Sequence, residues 1–232
     1  MDIETLRSKI DREWGYRRAE ELRVRDLKNR THEAWLDELP YVHEPTGYLF
    51  AEAAALQRVL RDNDITFCFI GGVALQHWGE VRQTDDVDVT IFCELGKEPG
   101  VLTVLETYLE SRIDDTRDMF LLGRMYLGRS PRGKQVDISI GFTPYEKRMM
   151  ARAVDVDYGL DVPLRICSAT DLVVLKTLAG RGQDWVDLQR IIQRSGDTMD
   201  WDLVLGELEP LLAMAGREEN LGRLRNMVAE ES

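Results

Sequence analysis

In the stretch Phe69–Ile91, FIGGVALQHWGEVRQTDDVDVTI, three aspartates fall within four positions: Asp85, Asp86 and Asp88. Carboxylates crowded this closely repel one another, and a hard divalent cation relieves that repulsion while gaining the oxygen ligands it prefers. Strand parity decides which of them can act together. Val87, Val89 and Ile91 alternate with Asp86, Asp88 and Thr90, and such alternation predicts a strand buried on one face. Asp86 and Asp88 then project to the same side, their Cα atoms about 6.6 Å apart. That suits two carboxylates converging on metal ions about 3.5–4 Å from each other. Asp85 has the parity of the valines and reads as a turn or capping acid at the strand entrance.

A third acid extends the set. In KQVDISIG, Val136, Ile138 and Ile140 alternate with Asp137 and Ser139, so Asp137 also stands on the polar side of a strand. If the two strands are neighbours, about 4.8 Å separates them and the three carboxylates share one face. The chemistry such a trio supports is phosphoryl or nucleotidyl transfer. The competing reading is simply the polar face of a half-exposed strand. Gly71 and Gly72, after the apolar run ITFCFI, lack Cβ atoms and would let backbone approach a phosphate chain at the start of a helix. The dinucleotide fingerprint fails here, because the glycines are adjacent and the next is Gly79. A calcium loop fails as well, since Ile91 sits where its turn glycine belongs.

The segments IGGVAL, RQTDDVDV and VDISIG resemble the nucleotidyltransferase superfamily, whose pattern is a glycine turn, a D-x-D strand and a later single acid. The form with Arg82, Thr84, Asp86 and Asp88 is similar to the minimal nucleotidyltransferases and to AbiEii-type toxins of toxin–antitoxin pairs. SATDLVVLKTLAGRGQDWVDLQRII also resembles that group, and the likeness covers roughly residues 65 to 195. It implies an enzyme dependent on Mg2+ (or Mn2+) that moves a nucleoside monophosphate from a nucleoside triphosphate to an acceptor hydroxyl. Asp86, Asp88 and Asp137 would be the catalytic and metal-binding acids. Gly71, Gly72, Arg82, Thr84 and Lys176 would meet the nucleotide, with Asp184 and Asp187 completing or bracing the pocket. The acceptor would be RNA such as tRNA, or a protein, with an antitoxin as partner. An aminoglycoside-type antibiotic adenylyltransferase shares the glycine turn and the D-x-D strand, and a catalytically silent nucleotide- or partner-binding member is the reading from a different class.

Several of these residues have structural roles open to them too. Arg82 could pair with nearby carboxylates, Lys176 could be a surface lysine, and Asp184 and Asp187 suit the first turns of a helix through its dipole. Trp78, Trp185 and Trp201 read as packing residues rather than base-stacking platforms, and His77 as structural.

These residues need a mixed framework to place them. The pattern predicts an α/β (α+β) fold with a helical N-terminal extension and a helical C-terminal region, and the resemblance implies that its core is a nucleotidyltransferase-type mixed β-sheet flanked by helices. The expected divisions are residues 1–45, 46–167 and 168–232. Leu49, Ala53, Leu56 and Leu60 stripe a helix. MFLLGRMYLG and KQVDISIGF read as a hairpin, and a helix is expected near PYEKRMMARA. Ser168 with Asp171 forms a capping box, Gly196 a helix stop and Asp200 a new cap. Residues 17–30 carry six basic side chains, read either as a solvated helix face or as an arm for a polyanion.

Of the 232 residues, 44% are hydrophobic and 31% charged, with a formal net charge of −12. That balance argues against nucleic-acid binding by bulk electrostatics alone and suits a cationic substrate, a basic protein partner or, most commonly, simple solubility. The three cysteines, Cys68, Cys93 and Cys167, lack metal spacing and read as buried thiols of a reducing cytoplasm. No apolar run is long enough to span a membrane, and MDIETLRSKI is too charged for a signal peptide. A cytoplasmic protein with no membrane partner is expected.

Overall fold

The structure, a computed structural model, describes residues 45–80, 84 and 86–231. The expected N-terminal helix with its basic run, Arg82 and Asp85 lie outside the described residues. In chain order the elements are α1 (Pro45–Asp62), β1 (Thr66–Phe69), α2 (Gly71–Trp78), β2 (Asp86–Phe92), α3 (Glu98–Tyr108) and β3 (Glu110–Ser111). Then come α4 (Thr116–Leu121), β4 (Met125–Arg129), β5 (Gln135–Gly141), α5 (Pro144–Arg152), β6 (Val154–Val156) and β7 (Leu164–Ile166). The chain closes with α6 (Ala169–Ala179), α7 (Gly182–Ser195), α8 (Trp201–Ala215) and α9 (Glu219–Glu231). Two compact units result: one runs to Phe67 and resumes over Asp85–Thr143, the other comprises Cys68–Thr84 and Pro144–Ser232.

In the first unit the strands lie in the order β3-β4-β5-β2. β5 is central, parallel to β2 and antiparallel to β4. Parallel neighbours need a crossover rather than a tight turn, and α3, β3, α4 and β4 supply it. On the inner face Val87, Val89 and Ile91 of β2 and Val136, Ile138 and Ile140 of β5 are all at most 3% exposed. Each such side chain contributes about 1.5–3 kcal/mol on leaving water, which fixes which face turns inward. α1 packs against β2, and the four residues expected to stripe a helix, Leu49, Ala53, Leu56 and Leu60, are all buried.

The expected hairpin is present as β4 and β5, but its first strand is shorter than the apolar run. Thr116–Leu121 is helical, and the backbone then turns through Gly123 and Arg124, the latter at φ 56°. A short apolar run has no period that separates strand from helix. Here the turn at Arg124 decides. Its guanidinium donates to the Ile140 carbonyl (3.1 Å) and to Glu98 (2.6 Å), anchoring a conformation that non-glycine residues disfavour.

In the second unit β7 lies between β1, to which it is parallel, and β6, to which it is antiparallel. The helix signals fall where expected. Ser168 accepts from the Asp171 amide and Asp200 from the Leu203 amide. α7 stops before Gly196, which has an ordinary right-handed φ of −60° and leads into a short 3-10 turn rather than a left-handed cap. An ionic network ties α5, α6 and α8 together. Arg152 binds the buried Asp171 through two nitrogens (3.0 and 2.6 Å) and reaches Glu207 (2.7 Å), which Arg148 also grips. Asp171 is 0% exposed, so removing its counter-charge leaves a buried anion unpaired. Arg152→Met is expected to lower stability by about 3–5 kcal/mol, read as a fall in the urea midpoint followed by circular dichroism. An unchanged midpoint would remove this network from what holds the unit together.

Candidate active site

The acid strand has the geometry that its alternation predicts. Along β2, Asp86 and Asp88 are half-buried while Val87, Val89 and Ile91 are buried. β5 is its direct neighbour, and the parallel register sets Asp88 opposite Asp137 and Asp86 opposite Gln135. Two residues further on, Thr90 and Ser139 face each other and share a hydrogen bond of 2.7 Å. Asp86, Asp88 and Asp137 therefore occupy one face of two hydrogen-bonded strands, with about 4.8 Å between strands.

A residue with no sequence signal stands beside them. Arg112 follows β3, where its amide donates to the Leu127 carbonyl (2.9 Å). Its guanidinium donates to the Asp137 carboxylate and to the Gln135 side-chain oxygen. Arg112 lies beyond the end of α3 at Tyr108. Only the strand order brings it to this face. Burial pushes the Asp137 carboxyl up, Arg112 pulls it down and Asp86 pushes it up again; the net direction is upward.

The donor set is all carboxylate, which fits a hard divalent cation such as Mg2+. Asp86 and Asp88, on one strand face and partly open to solvent, would hold it, with Asp137 as the third oxygen donor. Among the described residues no three His, Cys, Asp or Glu side chains converge into a group able to hold a metal ion, and Asp137 is engaged by Arg112.

In the second unit the two glycines have separate reasons for lacking a side chain. Gly71 has φ 53°, a left-handed conformation that favours glycine. Gly72 has ordinary φ, but a Cβ there would meet the Thr84 hydroxyl oxygen at 2.5 Å. Thr84 thus packs directly onto the first turn of α2. Ile70 at the N-cap supplies no side-chain hydrogen bond to that turn.

Lys176 is buried rather than superficial, 6% exposed. Its Nζ donates to Asp187 (2.6 Å) and Asp184 (3.3 Å). Asp184 also accepts from the Arg181 amide (3.1 Å) and guanidinium (2.9 Å), which closes a capping box at the start of α7. Burial acts to raise the Asp184 carboxyl, but Arg181 and Lys176 outweigh it and hold it below its ordinary range. Gln183 donates to the other oxygen of Asp187 (2.9 Å).

The remaining candidates take packing roles. The indoles of Trp78, Trp185 and Trp201 donate to the carbonyls of Cys167, Gly180 and Gly196. His77 packs edge-on against Trp78, and burial lowers its pKa. Cys68, Cys93 and Cys167 are free and buried, and burial pushes the first two thiols up to about 12. Among the described residues no helix is long and apolar enough to cross a membrane.

No protein-family model matches the chain, and no curated protein matches it either. Solved structures do. The antibiotic-resistance factor ANT(2'')-Ia is 10% identical, with a TM-score of 0.47 over 78% of this chain and 99% of that one. An antigenic nucleotidyltransferase-like protein from Paracoccidioides brasiliensis is 16% identical, with a TM-score of 0.44 over 76% and 91%. JHP933 from Helicobacter pylori is 14% identical, with a TM-score of 0.43 over 82% and 95%. These likenesses are distant in both sequence and structure, with identities of 10% to 16% and TM-scores of 0.43 to 0.47.

Proposed function

We propose that this chain is a nucleotidyltransferase that moves a nucleoside monophosphate from a nucleoside triphosphate to the hydroxyl of a small cationic acceptor. The observation that carries the reading is the parallel register that sets Asp88 opposite Asp137 with Asp86 on the same face. A divalent cation held there would neutralise charge on the triphosphate and favour ionisation of the acceptor hydroxyl. Asp86 and Asp88 hold it, and Asp137 takes the proton of the acceptor hydroxyl. The acceptor oxygen bonds to the α-phosphorus as the bond to the bridging oxygen breaks, and pyrophosphate leaves. The acceptor preference rests on the formal net charge of −12, which attracts polycations such as aminoglycosides and repels RNA. Transfer to tRNA or to a protein, as in a toxin with a cognate antitoxin, is the rival acceptor class.

A silent binding protein is the second reading, favoured by one observation: Asp137 is already paired with Arg112. One assay separates these. Each of four α-labelled nucleoside triphosphates is supplied with Mg2+ and the full chain, against an aminoglycoside panel, total RNA and bulk protein. Label is expected in the aminoglycoside fraction, and Asp86→Asn or Asp88→Asn is expected to reduce it by roughly 10³-fold, several kcal/mol of transition-state stabilisation. Label in RNA or protein would replace the acceptor assignment. Undiminished transfer in both variants would overturn the site, and no transfer in any fraction would favour the silent binder.

Lys176 requires its own test. The phosphate role needs Nζ to leave two carboxylates that hold it in a buried position. Lys176→Met is therefore expected to lower stability by about 3–5 kcal/mol through the unpaired Asp187 and Asp184, measured as a urea midpoint. Loss of nucleotide affinity with an unchanged midpoint would assign Lys176 to the triphosphate instead.

A further inference from the structure

We infer that Arg112 is a built-in counter-cation of the acid face, occupying Asp137 until a divalent cation displaces it. The inference rests on the metal-dependent reading above and concerns how that site is regulated. Three observations carry it. First, Arg112 bridges Gln135 and Asp137, the two positions that the register sets opposite Asp86 and Asp88. Its positive charge therefore sits on Asp137, the acid that the register sets opposite Asp88, where the metal-dependent reading requires a cation. Second, its side chain is only 19% exposed and its backbone is tied to β4 through the Leu127 carbonyl. The guanidinium is thus delivered from a fixed point and is not a wandering surface arginine. Third, its Nε is buried with no hydrogen-bond partner among the described residues.

That third point distinguishes Arg112 from Arg152, the arginine of the helical ionic network. Arg152 uses Nε and both terminal nitrogens on carboxylates that are nearly inaccessible, so it has nowhere better to go. Arg112 leaves a buried donor unsatisfied, and a buried unmade hydrogen bond is costly. The guanidinium thus meets this face through its terminal nitrogens alone. The Asp137 side chain is 34% exposed, so a solvated cation has access to it. A monovalent guanidinium and a divalent ion at the same carboxylate repel each other, so binding of one opposes the other. Release of Arg112 also frees a guanidinium, the side chain best shaped to grip a phosphate.

The test is Mn2+ binding to the full chain, without nucleotide, by titration calorimetry. Arg112→Gln is expected to tighten Mn2+ by about tenfold or more, a coupling of ordinary size between linked sites. Adding Asp137→Asn to that variant is expected to erase the gain. Equal Mn2+ affinity in the wild type and in Arg112→Gln would overturn the counter-cation role while leaving the metal site standing. No Mn2+ binding by any variant would instead sink the metal-dependent reading itself, and this inference with it. Should Arg112→Gln fail to fold, the wild type still decides. Its Arg112 side-chain NMR resonance must move on adding Mg2+, and a resonance unmoved at saturation overturns the exchange.

Discussion

The parallel pairing of β2 with β5 is the constraint on which the acid face depends. Side chains alternate with period two, so a slip of one residue would turn a strand's carboxylates into the core and its valines and isoleucines out. Burying even one unpaired carboxylate is prohibitive beside the gain from any single apolar contact. The six aliphatic side chains on the inner face therefore determine where the aspartates stand. A slip of two would preserve the faces but part Asp88 from Asp137; the Thr90–Ser139 hydrogen bond sits on the same face and favours the register observed.

Charges in this protein fall into two physical kinds. In the second unit Asp171, Asp184, Asp187 and Lys176 are buried and fully engaged, and their partners arrive from neighbouring helices or from the same capping turn. Such groups stabilise one arrangement strongly once formed and tolerate no loss of a partner. On the first unit's strand face Asp86, Asp88 and Asp137 are only half-buried. Half-burial keeps electrostatic interactions stronger than in bulk water while leaving room for an ion to enter. In the proposed reading chemistry belongs to the second kind, and mechanical integrity to the first.

The glycine pair divides along similar lines. Gly71 is required by its own backbone dihedral, a local demand, whereas Gly72 is required by Thr84, twelve positions further along the chain. The phosphate-cradle reading drawn from the doublet needs only one of these features, the helix start at Gly71. Close packing by Thr84 accounts for the second glycine without any ligand, so the doublet by itself does not argue for one.

The local signals were readable in the linear order of residues. The alternation in DVDVTI and QVDISIG sorted the faces, and the caps at Ser168 and Asp200 and the end of α7 before Gly196 fell where residue type placed them. Each is an interaction between residues a few positions apart, where backbone geometry leaves few choices. The tertiary structure alone decided which strands are neighbours, that Thr116–Leu121 is helical, that Lys176 is buried between two aspartates and that Arg112 meets Asp137 across 25 positions. Those outcomes depend on loop closure and on competition among distant apolar surfaces, whose energies are sums over the whole core. No short stretch carries that sum, and so the acids could be read from the sequence while the cation that holds one of them could not.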